Sequence, residues 1–223
     1  MKRKILFSFM LACISALVFG ALNVSANTYG DLTYIIDNEK ITITGCSQSA
    51  TNIEIPNTIE GYPVTKIDKA FYDCKNIRSV TIPENITYIN GNAFYNCIYM
   101  EKINWNAKNV VNLNEYPYNN IFGECGTAGD GIDIVFGDSV EKIPDYLFNV
   151  ATISSLPKIK SVIIGNNVTD IGKTAFRDCS SLISVTIGNS VTNIGNDAFQ
   201  NCYSLTNVTI GNSVTNIGND VFR

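Results

Sequence analysis

Cysteines are the residues of this chain whose type and spacing point most directly to chemistry. The sequence contains seven cysteines and no histidine, and Cys74, Cys97, Cys179 and Cys202 each stand three residues after the phenylalanine of an Ala-Phe pair. Neighbouring members of such a column come within bridging distance, which allows disulfides 74–97 and 179–202. Because parallel side chains disfavour the torsion that a disulfide needs, buried thiols acting as small apolar residues are the alternative. Without histidine or closely spaced cysteine pairs, we expect no metal site.

Catalysis has little support in the sequence. There is no histidine to act as a general base, no Gly-x-Ser-x-Gly elbow and no phosphate-binding loop. The chain carries 16 Lys and Arg against 20 Asp and Glu, whereas nucleic-acid binding needs a basic face. We therefore expect a non-enzymatic protein that needs no cofactor and binds no nucleic acid.

A 23-residue repeat must position these groups. Phe176, Phe199 and Phe222 follow one another at intervals of 23 residues, as do Phe71 and Phe94. A fixed period of this length is typical of solenoids, whose units bury their apolar side only by stacking on their neighbours. The sequence therefore predicts a β-rich (α+β) solenoid.

Each unit shows two apolar rhythms. Val185 and Ile187 alternate with polar residues, which predicts a strand with one face inward. After a Gly-Asn-Ser turn, the unit ends in Ala-Phe-x-x-Cys. This spacing predicts one helical or 3₁₀ turn with an inward face, which Asp197 would cap.

The first 26 residues read as a signal peptide. Lys2, Arg3 and Lys4 precede an apolar run, and Val24-Ser25-Ala26 has the small-residue spacing of a cleavage site. Cleavage after Ala26 would change the net charge from −4 to −7. We expect a secreted or cell-surface protein that is not inserted in a membrane after cleavage.

Two further segments complete the chain. Residues 27–50 are not a repeat, and their alternating apolar residues predict a β-hairpin that caps the first coil. Residues 51–223 predict a leucine-rich repeat solenoid of about seven coils, the last one incomplete. For its open apolar end we expect a truncated gene product or an end completed by a partner.

The repeat resembles a known family. The pattern Leu182-x-x-Val185-x-Ile187-x-x-Ser190-Val191-x-x-Ile194, the Ala-Phe-x-x-Cys ending and the Ile-Pro pairs at 55–56 and 82–83 resemble the BspA-like leucine-rich repeat family over residues 27–223. The resemblance implies a secreted or surface-displayed protein used for adhesion and protein contact. The chain departs from the family in its degenerate third repeat and at Cys46, where an aromatic residue is usual.

Glycine recurs directly after the second inward isoleucine of each late repeat, as Gly172, Gly195 and Gly218. Positive φ is one explanation. Pro144 holds the same position, and its ring fixes φ at about −65°. Either that repeat differs locally or the glycines serve a close approach of the chain.

The outward strand residues form the candidate binding face, with small polar side chains in most repeats, which also suits a merely solvated sheet. Val135 and Ile163 are neighbouring exceptions, and Ile132 and Ile183 would extend the apolar surface that they form. Exposed aliphatic neighbours of this kind favour a contact patch. The candidate binding residues on this face are Lys102, Asp133, Val135, Ile163 and Thr186.

A second candidate surface is the irregular segment 106–120, with Tyr116 and Tyr118 as candidate binding residues. Loops on a rigid scaffold often carry recognition, and an ordinary insertion is the alternative. Trp105 is inward by register, which favours a core role over a sugar platform.

Two functional hypotheses remain open. The first is protein binding or adhesion through the concave strand face, with a host matrix protein or another surface protein as partner. The second is a glycan-binding or targeting module, as part of a larger extracellular protein, with polysaccharide as partner. A surface cluster of Tyr34, Tyr116 and Tyr118 would favour the second hypothesis.

Overall fold

The computed structural model describes residues 26–110, 120–149 and 155–223. These residues form seventeen β-strands in three sheets and contain no α-helix. None of their segments is a helix long and apolar enough to cross a bilayer. The predicted signal peptide lies outside the described residues except for Ala26.

The largest sheet is parallel and takes one strand from each repeat. Its strands lie side by side in chain order. They are β4 (Asn52–Glu54), β7 (Ser79–Ile82), β9 (Lys102–Trp105), β10 (Ile132–Phe136), β12 (Ile159–Ile164), β14 (Ser184–Thr186) and β16 (Asn207–Thr209).

A second parallel sheet follows the turn in the later repeats. It consists of β11 (Lys142–Ile143), β13 (Asp170–Ile171), β15 (Asn193–Ile194) and β17 (Asn216–Ile217). In both sheets the partners are one repeat apart, so equivalent residues stand side by side: Val185 pairs with Val208, and Ile194 with Ile217.

The third sheet joins the N-terminal residues to the first repeats. It contains β1 (Asn27–Tyr29), β2 (Leu32–Asp37), β3 (Lys40–Cys46), β5 (Thr58–Ile59), β6 (Tyr62–Ile67) and β8 (Tyr88–Ile89). Strands β2 and β3 form an antiparallel hairpin around Asn38 and Glu39, whose φ angles of 49° and 59° match a type I′ turn. Strand β3 then pairs in parallel with β6 of the first repeat.

Seven phenylalanine rings stack through the core, one per repeat. Successive centroids lie 4.8–5.5 Å apart, and the rings of Phe176 and Phe199 are parallel within 1°. These spacings match the strand separation of about 4.8 Å. Trp105 is fully buried beside this column and donates from Nε1 to the Ala107 carbonyl at 3.1 Å, as its inward position predicts.

The predicted helical turn, and with it the helical part of the fold class, is wrong for the described residues. Ala198, Phe199 and Cys202 do point inward, but left-handed residues flank the Phe: Asp197 has φ 56° and Asn201 has φ 61°. Asp197 is therefore no N-cap, because that position needs extended φ. The N–H groups of Asp197, Phe199 and Asn201 donate to the carbonyls of Asn219, Val221 and Arg223 at 2.9, 3.0 and 2.9 Å. The intervening N–H groups of Ala198 and Gln200 donate within the turn, to the carbonyls of Gly195 and Asp197 at 3.3 and 3.2 Å. Alternate N–H groups thus bond to the next repeat, as in a strand, and the turn does not continue as a helix.

The recurring glycines serve a close approach of adjacent turns. None of Gly172, Gly195 and Gly218 has positive φ. A Cβ atom on Gly195 would lie 2.5 Å from the backbone nitrogen of Lys173, and one on Gly172 would lie 2.5 Å from that of Asp145. Glycine is needed here because a methyl group would push adjacent repeats apart.

Replacing Gly195 by alanine should lower the free energy of unfolding by about 1–3 kcal/mol, as overpacking does in cores. Gly129→Ala is the matched control: nothing lies within 4 Å of its added Cβ and its φ is not positive. The control should change stability by less than about 1 kcal/mol. Urea unfolding of both variants measures the difference, and equal stabilities would contradict the close-approach explanation.

Candidate functional site

The outer face of the seven-stranded sheet carries two straight columns of side chains. The pairing register aligns them as the repeat spacing predicts. The first column is Asn52, Ser79, Lys102, Asp133, Ser161, Ser184 and Asn207, and the second is Glu54, Thr81, Asn104, Val135, Ile163, Thr186 and Thr209. Between them stand buried residues such as Val162 and Val185. The alternation fixes which side chains reach solvent.

Hydrogen bonds run along the first three strands of this face. Ser79 Oγ donates to Asn52 Oδ1 at 2.7 Å, and Thr81 Oγ1 donates to Glu54 Oε1 at 3.0 Å. Asn104 Nδ2 then donates to Thr81 Oγ1 at 3.1 Å. These cross-strand bonds hold the polar side chains in defined positions on a rigid sheet.

Asp133 pairs with a lysine beside the face. Its Oδ2 lies 3.1 Å from Lys160 Nζ, and its Oδ1 accepts from Ser161 Oγ at 2.5 Å. Lys102 lies beside it in the register and is exposed. The ion pair is largely solvated, so it contributes at most about 1 kcal/mol to stability. Its positive and negative groups remain accessible to a ligand.

Ile163 is the most exposed aliphatic side chain in the two columns, at 48% of its surface. Its register partners are Val135, which is half-buried, and Thr186, which is exposed. Ile183 is 44% exposed, just before β14. The expectation that Ile132 extends this patch is wrong, because Ile132 is fully buried after the register shift between it and Asp133.

The predicted tyrosine cluster does not include Tyr34. Tyr34 is buried and donates from its hydroxyl to Glu60 Oε1 at 3.0 Å, and burial, together with this carboxylate, raises the pKa of the phenol. Tyr116 and Tyr118 lie outside the described residues.

Sequence analysis missed a stacked pair: Tyr72 is 52% exposed and lies on Tyr95 with ring centroids 5.6 Å apart. The sequence could have indicated this pair, because both tyrosines directly follow the repeat phenylalanine.

The described cysteines are free thiols, so neither 74–97 nor 179–202 is a disulfide in the structure. Most of this column donates to the backbone of the preceding repeat. Cys97, Cys125 and Cys202 donate to the carbonyl oxygens of Phe71, Phe94 and Phe176 at 3.2, 2.9 and 3.3 Å. Burial raises the pKa of Cys179 and raises that of Cys202 to about 12, which keeps both protonated at neutral pH. These thiols act as core donors.

Cys46 and Cys74 form a different pair at the N-terminal end. Their sulfur atoms are 2.8 Å apart, and Gln48 Nε2 donates to Cys74 Sγ at 3.6 Å. The hydrogen bond between the two thiols raises the pKa of Cys46 and lowers that of Cys74. Among the described residues, no group of three His, Cys, Asp or Glu is arranged to hold a metal ion.

Apolar surface is also exposed at the last repeat. Ile217 and Phe222 are 56% and 44% exposed, and a cavity of about 400 Å³ lies between Phe199, Leu205 and Val208. These residues hold positions that are buried in the preceding repeats, where a following coil covers them.

Comparison with known protein families agrees with the repeat geometry. A family model described as BspA type leucine rich repeat region matches six copies over residues 42–157 and 151–223. The chain belongs to this BspA-type leucine-rich repeat family. Leucine-rich repeat families generally bind other proteins and are typically non-enzymatic, so membership supports a protein-binding role in general terms.

Solved structures of leucine-rich repeat proteins are similar to this chain. One from T. pallidum is 23% identical, with a TM-score of 0.57 over 89% of this chain and 88% of that one, which supports the fold. A cell surface protein from Faecalibacterium prausnitzii is 25% identical, with a TM-score of 0.42 over 82% of this chain and 54% of that one. One from Bacteroides ovatus is 18% identical, with a TM-score of 0.40 over 88% and 79%. No curated protein matches the chain.

Two neighbouring isoleucines of β12 should respond differently to truncation. Ile163→Ala removes a side chain that is 48% exposed and should change the free energy of unfolding by less than about 1 kcal/mol. Ile164→Ala removes one that is 2% exposed and should cost about 2–5 kcal/mol. Urea unfolding compares the two variants. Similar losses would contradict the assignment of Ile163 to the outer face.

Proposed function

We propose that this chain is a secreted or cell-surface protein that binds other proteins, in adhesion, through the outer face of its parallel strands. The observation that carries the proposal is Ile163, a half-exposed aliphatic side chain held in fixed register on a rigid polar sheet. Membership of the BspA-type leucine-rich repeat family supports a protein as the partner.

The chemistry of the face suits a protein partner of mixed character. Ile163 and Val135 offer apolar area at the middle of the sheet, and Thr186 offers a hydroxyl beside them. Lys102 and Asp133 supply both signs of charge at the rim. An apolar centre with a polar rim is the usual anatomy of a protein interface. A host matrix protein or another surface protein is the partner class that we propose.

The domain organisation supports the same proposal. Residues 1–26 would direct export and be removed, and residues 27–50 would cap the leucine-rich repeat solenoid of residues 51–223. The pairing of β3 with β6 supports the capping role, because the hairpin covers the first repeat there. The excess of acidic residues favours a protein partner over a polyanion.

Binding through the strand face can be tested with a matched pair of substitutions. Ile163→Asp should weaken binding to immobilised matrix proteins at least tenfold, or about 1.4 kcal/mol. Ile217→Asp makes the same change at a similarly exposed residue of a different sheet and should leave affinity within about twofold. Surface plasmon resonance with purified matrix proteins measures both. Equal affinities of the two variants for the bound protein would exclude the strand face.

Glycan binding is the second candidate, and the exposed ring of Tyr72 stacked on Tyr95 favours it. A tyrosine side chain offers an apolar ring face and a polar hydroxyl, which suits a ligand that has both apolar and polar surface. If this function holds, Tyr72→Ala should abolish retention on polysaccharide while Ile163→Asp should not. Retention of Tyr72→Ala on every polysaccharide that binds the unmodified chain would reject this site.

Export can be tested by N-terminal sequencing of protein recovered from a bacterial culture. We expect the sequence to begin at Asn27, after the small-residue site Val24-Ser25-Ala26. A chain recovered only from the cytoplasm with its N-terminal segment intact would contradict the proposal.

A further inference from the structure

Cys46 and Cys74 are placed for covalent bonding. Their sulfur atoms lie 2.8 Å apart, inside the separation of about 3.5–4.0 Å at which even the smaller carbon atoms attract best without a bond. A disulfide needs about 2.0 Å between the sulfur atoms, so closure requires a shift of less than about 1 Å. A side-chain hydrogen bond with Cys125 raises the pKa of Cys97, but both of those thiols are buried.

The surroundings of Cys74 differ from those of the equivalent cysteines. Cys97 and Cys202 donate to the phenylalanine carbonyl of the preceding repeat. Cys74 belongs to the first repeat, which no earlier repeat precedes, and its sulfur contacts Cys46 at the end of β3 instead. The hairpin thus replaces the missing repeat and supplies a thiol where the other repeats supply a carbonyl.

Access also separates this pair from the other cysteines. Cys46 is the only described cysteine that is not buried. The segment after it is fixed against the first repeat, since Asn76 Nδ2 donates to the Gln48 carbonyl at 2.8 Å and Gln48 Nε2 donates to Cys74 Sγ. The reacting atoms are therefore held together while one of them can be reached from solvent.

We propose that Cys46 and Cys74 form a disulfide that fastens the N-terminal hairpin to the first repeat. The oxidant is a disulfide, either of an oxidoreductase or of glutathione. Cys46, the thiol that solvent reaches, loses its proton to water as it attacks one sulfur of the oxidant, and the other oxidant sulfur leaves as a thiolate that takes up a proton. Cys74, after losing its proton, attacks Cys46 Sγ, forms the new S–S bond and releases the second oxidant sulfur as a thiol. Two cysteines lose two electrons and two protons, and the oxidant gains them.

The proposed disulfide rests on the proposed export only because export would place the chain in an oxidising compartment. Oxidising compartments preserve disulfides, whereas the cytosol keeps thiols reduced. A test with an added oxidant therefore separates the pairing itself from the question of export.

Peptide mapping of the full chain tests the pairing. The purified protein is treated with oxidised glutathione, alkylated and digested with trypsin without reduction. Cleavage places Cys46 in peptide 41–66, Cys74 in peptide 70–75 and Cys97 in peptide 79–102. Mass spectrometry should find 41–66 joined to 70–75. Alkylated thiols at both Cys46 and Cys74, or a link between 70–75 and 79–102, would overturn the proposal.

Thermal unfolding supplies a second measurement. The link closes a loop between residues 28 positions apart, and its reduction should lower the melting temperature by about 5–10 °C. Cys46→Ser should show no difference between oxidised and reduced samples. Cys97→Ser, in which the hydroxyl still can donate to the Phe71 carbonyl, should keep the difference. Loss of the difference in Cys97→Ser with retention in Cys46→Ser would overturn the pairing.

Protein recovered from culture distinguishes the two proposals. A link present after treatment with oxidised glutathione but absent from the recovered protein would support the pairing and count against export. A link absent from both samples would overturn the pairing alone.

Discussion

The spacing of about 5 Å between successive repeats is the constraint on which the rest of the structure depends. Backbone hydrogen bonds between repeats set it, both in the sheets and in the turns, where Phe199 donates to Val221 of the next repeat. The phenylalanine rings keep the same spacing, with centroids 4.8–5.5 Å apart. An inserted side chain at the turns would break both sets of contacts, which explains the glycines at 172, 195 and 218.

The polar side chains of the turns follow from the same spacing. Equivalent residues one repeat apart come within hydrogen-bonding distance, so a short amide or carboxylate can bond to its own counterpart. Asn201 Nδ2 donates to Asp178 Oδ1 at 2.6 Å, and the backbone N–H of Asn219 donates to Asn196 Oδ1 at 2.9 Å. The abundance of Asn and Asp therefore serves both left-handed turn geometry and bonding between repeats.

The candidate binding face is a consequence of this framework. Strands that cannot shift their register hold outward residues in fixed columns, and substitutions there cost little stability because the side chains are solvated. Ile163 and Asp133 are largely solvated on this face, whereas Val162 and Ile164 are buried. The fold thereby separates the buried residues that support the stack from the solvated residues of the candidate binding face.

The sequence by itself determined the period, the parallel register and the inward positions of the repeat. The reason is that identical side chains at a fixed interval pack against one another when the repeats stack. Val185, Phe199 and Trp105 were placed correctly for this reason. Only the tertiary structure decided the conformation of the Ala-Phe turn, because the N–H groups of Asp197, Phe199 and Asn201 donate to carbonyls of the next repeat. It also decided the contact of Cys46 with Cys74, because the hairpin lies outside the repeat and no period relates the two residues.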